Sequence, residues 1–342
     1  MAWGILMRKK ITWNILSKYR DELFGFSIIS IIIFHYFEDL NSTELEGVFK
    51  IVTKVYLALI GSLGVEIFIF LSGLGLYYSM KNKFDIHRYI YKRVKRTIVP
   101  YIMYGGIFWL IFDIVIRKQS INIFAYDYSL LSFWYSGNKR LWFVTFIIVL
   151  YIIFPFIYVL IEKSNKPKEV LLIIALTYIL ILYKILKVFP NFFLNTEIAL
   201  TRFPVFILGI YYGKKSYNNE KISKTDICIL FSGILLRILS IFDGTGSIPI
   251  YWRLRMEIYS FFIMVVLVFC LNKISCKILN RCLSRIGKYS YELYLTSVTV
   301  RAIMNELNFK TYKLFNYIIC VLVAIVLSYI LVKVEKIIDR LI

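Results

Sequence analysis

Apolar residues in this chain come in runs of about twenty, and polar residues gather in the short stretches between them. A helix rises about 1.5 Å per residue, so a run of that length crosses roughly 30 Å of hydrocarbon. The pattern predicts ten helical spans, at 22–40, 55–80, 97–116, 141–161, 169–188, 199–213, 225–243, 250–271, 286–304 and 313–333. The fold class expected is all-α, a polytopic membrane helix bundle of about ten transmembrane helices. The longest connection on the far side, 117–140, is rich in Tyr, Phe and Trp. It reads as a segment lying at the interface or folding over the mouth of a site.

Composition agrees with lipid as the solvent. Hydrophobic residues make up 59% of the chain and the mean hydropathy is +0.70, where a soluble domain holds about 45–50%. The net charge of +21 would suggest nucleic acid in a soluble protein, but here it is a topology signal. Lys and Arg concentrate in alternate connections: the N-terminal tail, 81–96, 162–168, 214–224, 272–285 and the C-terminal tail. Cytoplasmic loops collect such residues, so both termini are expected in the cytoplasm, with membrane lipids as partners and no nucleic acid. The chain reads as one integral membrane domain over 1–342, with tails at 1–20 and 334–342. The basic N-terminus lacks a small-residue cleavage site, so the first span is expected to stay attached. The spacing of the five cysteines fits no zinc or redox motif, and no metal site is expected.

Ionisable residues inside spans are expensive and mark candidate sites. His35 stands in an otherwise apolar setting, roughly 20 Å into the membrane from the start of its span. It can act as a general base near neutral pH or hydrogen-bond a neighbouring helix. Glu66, expected near mid-membrane, would either orient the His35 imidazole or pair with an arginine such as Arg237. Lys184, Arg237 and Arg301 also fall within spans, and Arg253 has the spacing to pair with Glu257. The basic segment Arg88–Arg96 anchors the cytoplasmic face or binds phosphate. Arg93 and Arg96 share a helix face if that stretch is helical, and guanidinium forks suit phosphate.

In order along the chain, five segments carry a resemblance: Tyr19-Arg20-Asp21-Glu22-Leu23 leading to Phe34-His35; GVEIFIFLSG at 64–73; Arg93-Val94-Lys95-Arg96 with Pro100-Tyr101; Leu141-Trp142-Phe143 with Phe154-Pro155; and Ile286 to Leu295 (IGKYSYELYL). Together they resemble acyltransferase family 3, integral membrane O-acyltransferases acting on cell-surface polysaccharides. The resemblance implies His35 as the essential first-helix histidine; Glu66, from its expected depth near His35, is the second catalytic candidate. It implies Arg93 and Arg96 near the acyl-CoA entry, and Trp142 as an important aromatic position on the donor side. The expected donor is acetyl-CoA or another short acyl-CoA, with no tightly bound cofactor. The expected acceptor is a surface polysaccharide or lipid-linked glycan, and the expected location is the bacterial plasma membrane. Two positions depart from the family pattern. Phe24 stands where many members carry Arg or Lys, leaving Arg20 one turn earlier, and Ser297 stands where many carry a second histidine. The competing class is a polysaccharide polymerase or flippase.

Overall fold

The computed structural model describes residues 11–61, 63–242 and 249–341. Of the described residues 85% are helical, and none lies in a strand. Among the described residues eight helices are long and apolar enough to cross a membrane: Arg20–Asn41, Gly47–Asn82, Ile86–Ile116, Trp142–Lys163, Pro167–Val188, Pro190–Tyr217, Arg255–Ile274 and Leu314–Ile338. The other two predicted stretches are helical but do not join the eight. Lys224–Phe242 runs to the edge of the described residues, and Ser290–Glu306 has only 17 residues.

The elements that position the site are α1 (Arg20–Asn41), α2 (Gly47–Leu59), α3 (Leu63–Asn82), α4 (Ile86–Arg93), α5 (Trp142–Lys163), α6 (Phe203–Tyr217), α7 (Lys277–Lys288), α8 (Ser290–Glu306) and α9 (Leu314–Leu341). The predicted span 55–80 is in fact α3 preceded by α2. The break falls at Ile60–Gly61, and Val48, Phe49, Ile51, Val52 and Val55 of α2 are exposed. In a membrane protein such apolar surface faces lipid. The last helix continues to Leu341 through the segment expected as a tail. At the other end Trp13 and Leu16 are fully buried, with the Trp13 ring 4.5 Å from Tyr212. Residues 11–19 are therefore part of the bundle. The more basic stretch at 8–10 and the Arg253 side chain lie outside the described structure.

Two glycine crossings bring the central helices together. A Cβ on Gly287 would stand 1.9 Å from the Asp21 carbonyl of α1, and one on Gly25 2.0 Å from the Leu283 carbonyl of α7. Likewise a Cβ on Gly73 of α3 would meet the Phe206 carbonyl of α6 at 2.5 Å, and one on Gly209 the Phe70 carbonyl at 2.2 Å. Small residues let helix backbones touch where no hydrophobic force drives association. Helices α1 and α3 run antiparallel: Arg20 abuts Gly75, Phe24 meets Phe68, and Ser27 and Ile31 abut Gly64.

Beyond α4 the third span winds through three π-helical segments, Val94–Ile98, Tyr101–Gly105 and Leu110–Ile116. The start of α4 is fixed by Asp85, whose carboxylate accepts from the Arg88 amide at 3.0 Å. The aromatic connection 117–140 folds into two short helices, Ile121–Tyr128 and Leu131–Ser136.

Candidate active site

One cleft gathers side chains from five elements. Arg20 and Phe24 come from α1, and Phe68 and Ser72 from α3. Arg93, Arg96 and Thr97 come from the third span, Phe143, Ile147 and Tyr151 from α5, and Ser290 and Tyr291 from α8. On α5 the lining residues recur every four positions, so a single helix face supplies them. The cleft is narrow, with about 40 Å³ of room for water-sized molecules.

Its two ends differ chemically. At one end Arg20, Arg93 and Arg96 converge, and none of them forms an ion pair among the described residues. Arg93 closes α4 and Arg96 lies in the first π segment, yet both reach this cleft. The Arg93 guanidinium stands 5.6 Å from the Tyr151 ring centre and 6.0 Å from that of Tyr89. Tyr89 donates to the Tyr151 carbonyl at 2.8 Å, and Tyr291 donates to the Thr97 carbonyl at 2.8 Å. These bonds tie α4 and the π segment to α5 and α8. Arg20 fits against the bare backbone of Gly75, where a Cβ would come within 2.5 Å of its guanidinium. At the other end aromatic rings close on one another: Phe24 on Phe68 at 4.9 Å, Phe68 on Phe143 at 5.4 Å, and Phe143 on Tyr294 at 5.2 Å.

His35 lies eleven residues beyond Phe24 on α1, about 16 Å along the helix axis. That places it toward the far end of α1, in a polar cluster. Its Nδ1 is 2.8 Å from Arg301 of α8 and 3.3 Å from Glu38 Oε2. Arg301 also donates to Glu38 at 2.8 Å and, through Nε, to both Asp39 oxygens at 3.1 and 3.0 Å. Asp39 accepts in turn from Thr311 at 2.6 Å.

The expected contact between Glu66 and His35 is not formed. The register of α1 against α3 sets Glu66 level with residues 24–31, at least a turn short of His35. Glu66 instead pairs with Arg202 at 3.2 Å, both side chains being buried. The alternative partner weighed for it, Arg237, donates to the Ala58 carbonyl at the end of α2. Trp142 does not line the arginine cleft either. It stands at the opposite end of α5's lining face, its ring 5.1 Å from the Arg202 guanidinium. Buried Glu66 and Arg202 thus form a separate cluster with the half-buried Trp142.

Sequence reasoning placed Arg301 within a span without a role and did not bring Glu38 and Asp39 to His35. The signal was available. Glu38 and Asp39 follow His35 by three and four residues and so share its helix face, and Arg301 is a charge inside a span.

A multi-pass bundle of apolar helices, with a cationic cleft at one end and a histidine in a charged network toward the other, defines an integral membrane protein with two polar sites in its helix bundle. The family model for the acyltransferase domain of acyltransferase family 3 matches residues 25–333, nearly the whole chain. The chain belongs to that family and is a membrane acyltransferase. No curated protein and no solved structure matches it.

Proposed function

We propose that the protein is an O-acetyltransferase of the bacterial plasma membrane, moving an acetyl group from acetyl-CoA to a hydroxyl of a surface polysaccharide or lipid-linked glycan. The observation that carries this reading is the convergence of Arg20, Arg93 and Arg96 in one cleft with no carboxylate in ion-pair reach. Three guanidinium groups held together repel one another and call for an anion, and their planar forks match phosphate oxygens. Arg20 supplies the cation that the family pattern places one turn later, at Phe24. The phosphates of an acyl-CoA would dock here, with the arginine end facing the cytoplasm, where positive residues collect.

The apolar half of the cleft suits the acyl-bearing arm of the donor. His35 is the base for the acceptor hydroxyl, or the group that relays the acyl unit as an acyl-imidazole. In the first route the hydroxyl oxygen bonds to the thioester carbonyl carbon, the C–S bond breaks, and CoA leaves as the thiol. The thioester supplies the driving force. Acyl transfer is favoured over a polymerase or flippase by family membership and by the placement of the three arginines. Glu66 and Trp142 fit a buried structural cluster with Arg202 better than they fit the reacting groups. The test is transfer of labelled acetyl from acetyl-CoA to the surface glycan. Transfer should be lost in His35→Ala, and normal transfer by an inserted His35→Ala protein would remove His35 from the mechanism.

A further inference from the structure

His35 Nδ1 has two neighbours that make opposite demands. Arg301 Nη1 lies 2.8 Å away and Glu38 Oε2 3.3 Å away. A guanidinium only donates hydrogen bonds, and a carboxylate only accepts them. One ring nitrogen cannot serve both, because it needs a lone pair toward Arg301 and a proton toward Glu38. The shorter contact is with Arg301. In this arrangement the proton of the neutral ring therefore sits on Nε2, and the ring has no free base nitrogen.

The two neighbours differ in freedom. Arg301 is fixed through Nε to both Asp39 oxygens at 3.1 and 3.0 Å. Asp39, 10% exposed, is held by Thr311 at 2.6 Å and Asn305 at 3.4 Å. Glu38 is 49% exposed and stands at the open edge of the cluster, where its Oε2 also accepts from Arg301 Nη2 at 2.8 Å as its one other partner among the described residues. Tyr317, packed beside them, gives its hydroxyl proton to the Ile32 carbonyl at 2.5 Å and is committed elsewhere. The imidazole is itself 19% exposed.

We propose that Glu38 is the positioning carboxylate of His35 and competes with Arg301 for Nδ1. Held by Arg301, the ring is at rest; handed to Glu38, it presents Nε2 as a base. In the exchange Nδ1 takes a proton from water and Nε2 returns one to water, so the ring stays neutral. The Nε2 lone pair then receives the proton of the attacking hydroxyl, and the Nδ1–H bond to the Glu38 carboxylate steadies the imidazolium that results. The catalytic half of this proposal rests on the acyl-transfer reading above.

The chain has two histidines, so nitrogen-15 NMR of histidine-labelled protein in lipid nanodiscs reads the tautomer directly. His87→Gln removes the other signal. Wild type should show His35 with the proton on Nε2. Arg301→Met should shift the major form to Nδ1–H, and adding Glu38→Ala should reverse that preference. Glu38→Ala alone should keep the wild-type tautomer and lower kcat on the order of a hundredfold, with the donor KM unchanged and partial rescue by Glu38→Asp. Where Arg301→Met does not insert, Glu38→Ala alone decides. Full transfer by Glu38→Ala overturns the proposal, as does a wild-type Nδ1–H form. If wild type transfers no acyl group to any acceptor, the functional reading fails while the tautomer result stands on its own.

Discussion

Arg93 and Arg96 reach one cleft although a π segment begins between them, and Arg20 joins them from another helix. A hydrogen bond to a charged group is worth about 1.5–3 kcal/mol. Changing Arg93 and Arg96 together to Gln should therefore raise the KM for acetyl-CoA on the order of a hundredfold or more, and Arg20→Gln should act in the same direction. Steady-state kinetics with the donor varied is the check, and an unchanged KM would count against phosphate docking. The buried Glu66–Arg202 pair predicts a different phenotype. Removing one partner of a buried pair costs about 3–5 kcal/mol, because the other charge is left uncompensated. Glu66→Ala should lower the melting temperature in detergent, and Glu66→Gln/Arg202→Met should recover much of the loss. The individual residues were legible in sequence as polar groups within apolar spans. Their partners were not, because hydropathy marks depth along a helix and leaves the register between helices open. That is why Glu66 was a candidate neighbour of His35, whereas Gly64 against Ser27 and Ile31 sets it at least a turn short.

At the scale of elements, the glycine crossings place α1, α3, α6 and α7 close enough to build the cleft. Bulk at these positions forces backbones apart, and overpacking of this kind costs roughly 1–3 kcal/mol or more. Gly287→Leu and Gly209→Leu should each reduce thermal stability, measured on purified protein. Gly287→Leu should also weaken donor binding, because the α1–α7 crossing lies one turn from Arg20. Helical periodicity and the motif GVEIFIFLSG made α3 readable in advance. Within that motif Gly73 packs on α6 and Ser72 lines the cleft, neither of which hydropathy marks. The break at Ile60–Gly61 was hidden because apolar residues continue through it, so the window that finds a span merged α2 with α3. The π segments were equally invisible, since they change the winding of a helix without changing its hydropathy. The short helices within 117–140 escaped the same window because each is far below the length of a crossing. Leu130 and Gly137, at φ +63° and +70°, mark where the chain turns between and after them.

For the whole molecule, the all-helical membrane architecture and the family were legible from run length and motif order. The number of crossing helices was less so: eight meet the length and apolarity of a span, because Ser290–Glu306 is short and carries charge that the site uses. The orientation proposed from Lys and Arg placement has a direct check. Cys276 and Cys282 are exposed, Cys282 next to the Leu283 that meets Gly25 of α1, and Cys320 is buried. A membrane-impermeant maleimide should label Cys276 and Cys282 in inside-out vesicles and not in intact cells. The proposed mechanism binds the acyl-CoA phosphates at the three-arginine cleft and uses His35 as the base. Its most direct test is transfer from radiolabelled acetyl-CoA to surface glycan by the protein reconstituted in vesicles, with wild type and His35→Ala compared at equal insertion. The account predicts labelled glycan with wild type and none above background with His35→Ala. Equal labelling by the two proteins would contradict it.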